Sequence, residues 1–262
     1  DDSIGYIKII RFARTTHEEF INASKDLKRK GMKQLIVDLR NNSGGYLNAA
    51  TELADEFLED GKLIVYTEGK ARKRQDFYSS KSGELEKIGL IVLINEGSAS
   101  ASEILAGALQ DNDRGLIVGR RSFGKGLVQE PMQWSDGSQV RLTVARYYTP
   151  TGRSIQKPYS NDVEEYNDEY FNRLESGELF SADSIKFPDS LKYYTKKGKA
   201  VYGGGGIMPD EFIPIDTLGT SQYYGRLNYS GLFYLFGFDY TDKNRELLIK
   251  EYNESNFSTN FK

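Results

Sequence analysis

Gly89-Leu90-Ile91-Val92-Leu93-Ile94 runs directly into Asn95-Glu96-Gly97-Ser98-Ala99-Ser100-Ala101-Ser102-Glu103-Ile104-Leu105. The first six residues are almost wholly apolar, as expected of a strand covered on both faces. Beyond the serine-rich turn, Ile104, Leu105, Ala108 and Leu109 mark a helix. Strand, turn and helix in this order make the unit of an α/β fold.

The same alternation continues outward in both directions. Upstream, Ile4-Gly5-Tyr6-Ile7-Lys8-Ile9-Ile10 reads as a first strand, and Thr15 with Glu18 fits a capping box for a helix carrying Phe20, Ile21 and Leu27 that Gly31 stops. Gln34-Leu35-Ile36-Val37-Asp38-Leu39-Arg40 is a buried-strand run. Asn41-Asn42-Ser43-Gly44-Gly45 is the turn that follows it, and Leu47, Ala50, Ala54, Phe57 and Leu58 then fall on one helix face before Gly61. Leu63 to Tyr66, Leu116 to Val118 and Val140 to Tyr148 are further strands. From Ser160 the chain becomes acidic and aromatic, with Val163, Tyr166, Tyr170 and Leu174 predicting an amphipathic helix ended by Gly177. Gly203 to Gly206 reads as a turn or linker. Tyr229 to Phe238 and Asn244 to Tyr252 predict C-terminal helices packed on the main body.

Composition removes whole classes of function. With 262 residues the chain buries a sizeable core without staples, and with no cysteine it has no disulfide, iron-sulfur or cysteine-zinc chemistry. A single histidine, His17, leaves no histidine-rich metal site, and no EF-hand spacing is present. The net charge of −3, with both signs mixed, gives no footprint for nucleic acid. No apolar run is long enough to span a membrane, and the start Asp1-Asp2-Ser3 lacks the features of a signal peptide.

What remains points to hydrolysis. Ser100 lies at a strand-to-helix turn, where the helix dipole favours developing negative charge and the next amide can donate to an oxyanion. Ser100 and Glu103 also fit a capping box, a purely structural role compatible with the first, and choosing among Ser98, Ser100 and Ser102 needs geometry. Lys125, between two glycines, gains nothing obvious from packing. On a strand Lys125, Leu127 and Gln129 share a face, so the Gln129 carboxamide can orient the Lys125 amine. To accept a proton near neutral pH a lysine must titrate well below about 10.4, which burial without a carboxylate partner achieves. A Ser-Lys dyad follows, whereas His17, in the first turn of a helix, has no nucleophile near it. Gly119-Arg120-Arg121-Ser122-Phe123-Gly124-Lys125 also matches a phosphate-binding loop. Its last position fails, because Gly126 stands where a Ser or Thr would bind magnesium and the chain continues as a strand towards Pro131.

Val37 to Gly45, Gly97 to Ile104, Gly119 to Gln129 with its Phe123-Gly124-Lys125-Gly126 core, and Tyr148-Thr149-Pro150-Thr151-Gly152-Arg153-Ser154-Ile155 together resemble the C-terminal processing (tail-specific) serine proteases. The likeness spans roughly residues 4 to 157 and resumes at Gly206-Ile207-Met208-Pro209-Asp210. It implies an α/β core of repeated strand-strand-helix units like the crotonase and Clp-protease folds. It also implies Ser100 as nucleophile, Lys125 as general base, Gln129 orienting the lysine, and the amides of Ala101, Gly44 and Gly45 as oxyanion donors. The expected reaction is endoproteolysis near substrate C-termini through an acyl-enzyme, with protein or peptide substrates, no cofactor, and a place in the cell envelope or periplasm. Whether the chain forms a homo-oligomer is left open. The rival reading is a catalytically silent peptide-binding or scaffolding module of the same fold. The expected organisation is a catalytic core over 1–216 with an insertion at about 158–203, where relatives run almost straight on, and a helical extension over 217–262. The PDZ domain that such proteases carry ahead of the first strand is not seen in this chain, and Ser43 stands where a proline is frequent.

Overall fold

The computed structural model describes residues 3–80, 83–159, 168–217, 221–253 and 256–257. They divide into two units, Asp1–Pro214 and Ile215–Lys262, each described by itself.

The first unit is built on a five-stranded sheet of β1 (Ile4–Lys8), β2 (Gln34–Asp38), β5 (Gly89–Ile94), β6 (Leu116–Gly119) and β11 (Glu211–Phe212), in that spatial order and parallel throughout. Helices α1 (Thr16–Arg29), α2 (Leu47–Asp55) and α3 (Ala101–Asp111) lie in the connections. Leu35, Val37, Val92, Ile94 and Ile117 of the sheet are buried with Phe20, Leu53, Phe57, Leu105 and Leu109 in one core. All eleven residues of α3 are buried, so this helix is covered on every side. A helix that starts at the serine turn and cannot shift in its bed gives that turn a fixed seat.

A second sheet, antiparallel, has the order β4 (Gln75–Tyr78), β3 (Leu63–Glu68), β8 (Gln139–Tyr148), β7 (Leu127–Gln133). Its hairpin β7–β8 runs out to exposed Met132, Trp134, Val140 and Leu142. The strand at Leu127–Gln133 removes the phosphate-loop reading, which needs a helix there. The expected insertion contributes α4 (Glu169–Glu175) and the small hairpin β9 (Lys192–Tyr194) with β10 (Ala200–Tyr202). Gly177 follows α4 as expected. Val163 and Tyr166 of the predicted helix lie outside the described residues.

Two local expectations change. Thr15 does not cap α1: its backbone is helical and its side chain makes no cap bond, while Thr16 Oγ1 instead accepts from the Ala13 amide (2.9 Å) and donates to the Arg11 carbonyl (3.1 Å). Gly203 to Gly206 is not a linker. Gly206 donates to the Ile155 carbonyl (2.8 Å), its φ is +89°, and a Cβ there would stand 2.6 Å from the Ser122 carbonyl. Glycine is required because one backbone lies against another.

The second unit consists of α5 (Gln222–Tyr229), α6 (Leu232–Lys243) and α7 (Arg245–Glu251), as the aromatic runs predict.

Candidate active site

β2 and β5 are neighbours and parallel, so the loops leaving their carboxyl ends meet at one edge of the sheet. Side chains stitch those loops together. Asn95 Oδ1 accepts from the Asn41 amide (2.8 Å), Asn95 Nδ2 donates to Asn41 Oδ1 (2.8 Å), and the Ala99 amide donates to the Asn42 carbonyl (2.9 Å). Gly44, at φ +97°, lies directly under the serine turn. A Cβ on it would sit 2.6 Å from the Ala99 carbonyl oxygen and 2.7 Å from Ser100 Cβ.

The three serines separate by their hydrogen bonds. Ser98, 0% exposed, donates to the Leu39 carbonyl (2.8 Å) and accepts from the Asn95 amide (2.9 Å). Ser102, also 0% exposed, donates to the Asn42 carbonyl (2.9 Å). Both hydroxyls fasten the turn after β5 to the turn after β2. Ser100 differs: it is partly exposed, its hydroxyl forms the expected capping box with the Glu103 amide but donates to no group among the described residues, and its backbone holds φ 56°, ψ −114° as the residue before α3. A side chain in that region of φ/ψ space costs roughly 1–3 kcal/mol, borne here by the surrounding packing, and it turns the hydroxyl out of the helix.

The loop between β6 and β7 carries Lys125 to the same place through Glu103, which sequence reading saw only as a cap. The Glu103 carboxylate is buried and accepts four bonds: from the Ser100 amide (2.8 Å), the Lys125 amide (2.9 Å), the Gly124 amide (2.6 Å) and the Ser122 hydroxyl (2.5 Å). Ser122 Oγ also accepts from the Ile207 amide (2.6 Å), so its own proton goes to Glu103. Burial pushes the Glu103 carboxyl up, opposed by these four bonds. All four partners are donors, which fits the ionised form. Tyr147, buried, sets its hydroxyl against the carbonyls of Ser100 (3.1 Å) and Lys125. Burial, then the charge of Glu103, keeps that phenol well above its usual range and therefore a donor. Gln156 Oε1 accepts from the Gly126 amide (2.9 Å), fixing the other side of the lysine. The sole signals for Tyr147 and Gln156 were their places immediately before and after the Tyr148-to-Ile155 motif.

The Lys125 side chain makes no ion pair or hydrogen bond among the described residues. Lys125 precedes β7 and is not part of it, and a register irregularity falls between Val128 and Gln129. Alternation along one strand therefore does not put Lys125 and Gln129 on one face. Gln129 is exposed and unbonded to Lys125. Among the amides expected to face an oxyanion, that of Gly44 donates to Asn42 Oδ1 (2.9 Å). Those of Gly45 and Ala101 have no acceptor among the described residues. His17, in the first turn of α1, is half-buried against Glu56 at the end of α2 (2.8 Å), so it is not a plain surface residue.

Behind the turn, Asp38 ends β2. It accepts from Tyr6 (2.6 Å), from Arg40 Nε (2.9 Å) and from the Arg40 amide (2.9 Å). Burial alone would raise its carboxyl, but the bonds from Arg40 and Tyr6 outweigh it and hold the group at about 2. This network fixes the exit of β2 into the glycine turn. The described residues contain no group of side chains that could hold a metal ion.

A partly exposed serine on a strained strand-to-helix turn, at the carboxyl edge of a parallel sheet and tied through Glu103 to the backbone of a lysine, belongs to the class of serine hydrolases. The profile of Peptidase family S41 matches residues 3–164, and the chain belongs to that family. It is 42% identical over 155 residues to a carboxyl-terminal-processing protease of Synechocystis, covering 59% of this chain and 36% of the relative. It is 44% identical over 161 residues to a carboxy-terminal-processing protease of Bartonella bacilliformis, covering 60% and 37%. Among solved structures the photosystem II D1 C-terminal processing protease superposes with a TM-score of 0.58 at 30% identity, covering 86% of this chain and 46% of that one. The chain thus spans little more than a third of the curated relatives it matches.

Proposed function

We propose that this chain is the catalytic part of a serine endopeptidase that cleaves protein substrates near their C-termini. The observation that carries the reading is the fate of the three serine hydroxyls: two donate to buried carbonyls, whereas the third, on a turn whose amide shares the Glu103 carboxylate with the amide of Lys125, donates to no group among the described residues. Ser100 Oγ attacks the scissile carbonyl while Lys125, neutral, takes its proton. The tetrahedral oxyanion receives the amides of Ala101 and Gly45. Gly44 serves by having no side chain, since Asn42 already holds its amide. Lys125 then returns the proton to the leaving amine, and a water molecule deprotonated by Lys125 hydrolyses the acyl-enzyme. Gln129 orients the amine once substrate covers the exposed start of β7.

That the relatives are carboxyl-terminal-processing proteases supports action at C-termini, and the likeness to crotonase and Clp-type cores remains part of this proposal, as does a cell-envelope location. Among the described residues no helix is long and apolar enough to cross a membrane. Cleavage of an unfolded protein substrate, followed for wild type, Ser100→Ala and Lys125→Ala, tests the reading. Loss in both variants with unchanged circular dichroism supports it. Wild-type inactivity with retained peptide binding would favour the silent module.

A further inference from the structure

The segment after the family match is joined to the catalytic lysine by a buried line of polar contacts. Arg173, in α4, lies beyond residue 164, where the family profile ends. It is 4% exposed, and its Nη2 donates to the Ser122 carbonyl (2.9 Å) and approaches that of Arg121 (3.4 Å). Its Nε stands 2.8 Å from Glu178 Oε1 and 3.8 Å from Glu169 Oε1. Glu178 in turn receives both Nε and Nη2 of Arg121 at 2.7 Å, while Arg121 Nη1 donates to the Gly205 carbonyl (2.5 Å). Glu169 also takes Lys157. Burial, opposed by Arg121 and Arg173, leaves the Glu178 carboxyl below its ordinary range, so it stays charged between the two guanidinium groups.

The line does not end at Ser122. That residue's hydroxyl donates to Glu103, and Glu103 holds the amides of Gly124, Lys125 and Ser100. A planar guanidinium held at ion-pair distance from a carboxylate, even with its Nε making no hydrogen bond, is a rigid donor suited to fixing a carbonyl in place. The peptide whose carbonyl it fixes begins the turn that ends at the lysine. From Arg120 to Gly126 this turn lies outside every strand and helix, so neighbouring groups must hold it.

We propose that Arg173, seated by Glu178, is a positioning residue for Lys125, and that the inserted segment braces the catalytic loop. This rests on the reading of Lys125 as the base. Arg173 touches no reacting atom, so its loss should lower kcat by about 10- to 100-fold through misplacement of the amine and leave KM nearly unchanged.

Arg173→Gln, Arg173→Lys and Glu178→Gln in the full chain test this against Arg114→Gln. Arg114 is a half-buried arginine that likewise donates to backbone carbonyls, those of Phe57, Leu85 and Ile88, away from the loop. Amide hydrogen exchange is read first. The three insertion variants should exchange faster over 121–126 and at the start of α3, and Arg114→Gln should not. With a peptide substrate, kcat should fall in Arg173→Gln, recover in part in Arg173→Lys, and stay near wild type in Arg114→Gln. Unchanged exchange over 121–126 overturns the brace whether or not the protein cleaves peptides. An equal fall of kcat in Arg114→Gln reduces Arg173 to general stability and overturns it as well. If wild type itself shows no Ser100-dependent cleavage, the peptidase reading fails, and exchange still decides whether the segment holds the loop.

Discussion

At the scale of single residues, the difference between Ser100 and its two neighbours lies in what each hydroxyl is bonded to. Ser100→Ala should remove cleavage and cost no more than about 1 kcal/mol of stability, because its hydroxyl donates to no group and accepts only in the capping box with Glu103. Ser98→Ala strips the Leu39 carbonyl of a buried donor and should cost about 1–3 kcal/mol of stability while the folded fraction keeps cutting. Thermal melts beside peptidase rates separate the two, and an inactive but fully folded Ser98→Ala would move the nucleophile. Glu103→Gln is a harsher change than its size suggests. Each carboxylate oxygen accepts two bonds, so a carboxamide must turn an NH2 towards donors it displaces. Expected is a loss of kcat of about 100-fold, with exchange quickened at both Ser100 and Lys125.

Elements place those residues. Gly44→Ala should combine positive-φ strain with a clash against the Ala99 carbonyl, displacing the serine turn and lowering kcat by about 100-fold. A crystal structure of the variant with Ser100 unmoved would refute this. The Asp38 carboxylate ties β1 to the end of β2, and its titration point, lowered to about 2, has a readable sign. The stability it gives is complete above the ordinary value near 3.8 and is lost as pH falls towards 2. Tyr6→Phe removes one donor, so the midpoint of acid unfolding should move to higher pH. Apolar runs and turn signals made β1, β2, β3, β5, β6, α1, α2 and α3 legible in the sequence, the covered strands β2 and β5 because they have no wet face to confuse the pattern, while the half-exposed β8 was legible by its alternation. β4, β9 and β10 are strands of three or four residues, too short to show a period, and the two-residue β11 takes its partner β6 from a distant segment, which no local pattern records. Within the site, Ser100 and Lys125 were legible as residue types in a turn. The roles of Tyr147, Gln156 and Arg173 were not, since each acts on a backbone carbonyl or amide more than 20 positions away.

For the whole molecule, every residue of the buried apolar core lies between Ile9 and Ile207. A chain ending at Pro214 should therefore fold by itself, with a cooperative transition within a few degrees of the full chain. The unit from Ile215 to Lys262 alone should not: α6 and α7 contain no buried residue, and a segment of this length is too small to hide its aromatic side chains. Calorimetry of the two pieces checks both statements, and a cooperative melt from the short piece would refute the second. The single carboxylate of Glu103, gripping one loop by its serine amide and another by its lysine amide, sets a requirement for anyone wishing to transplant this chemistry. Two side chains copied onto a new scaffold would not suffice. The recipient must be given the buried acid and the bare amides of both loops, so the smallest portable unit is a piece of main chain.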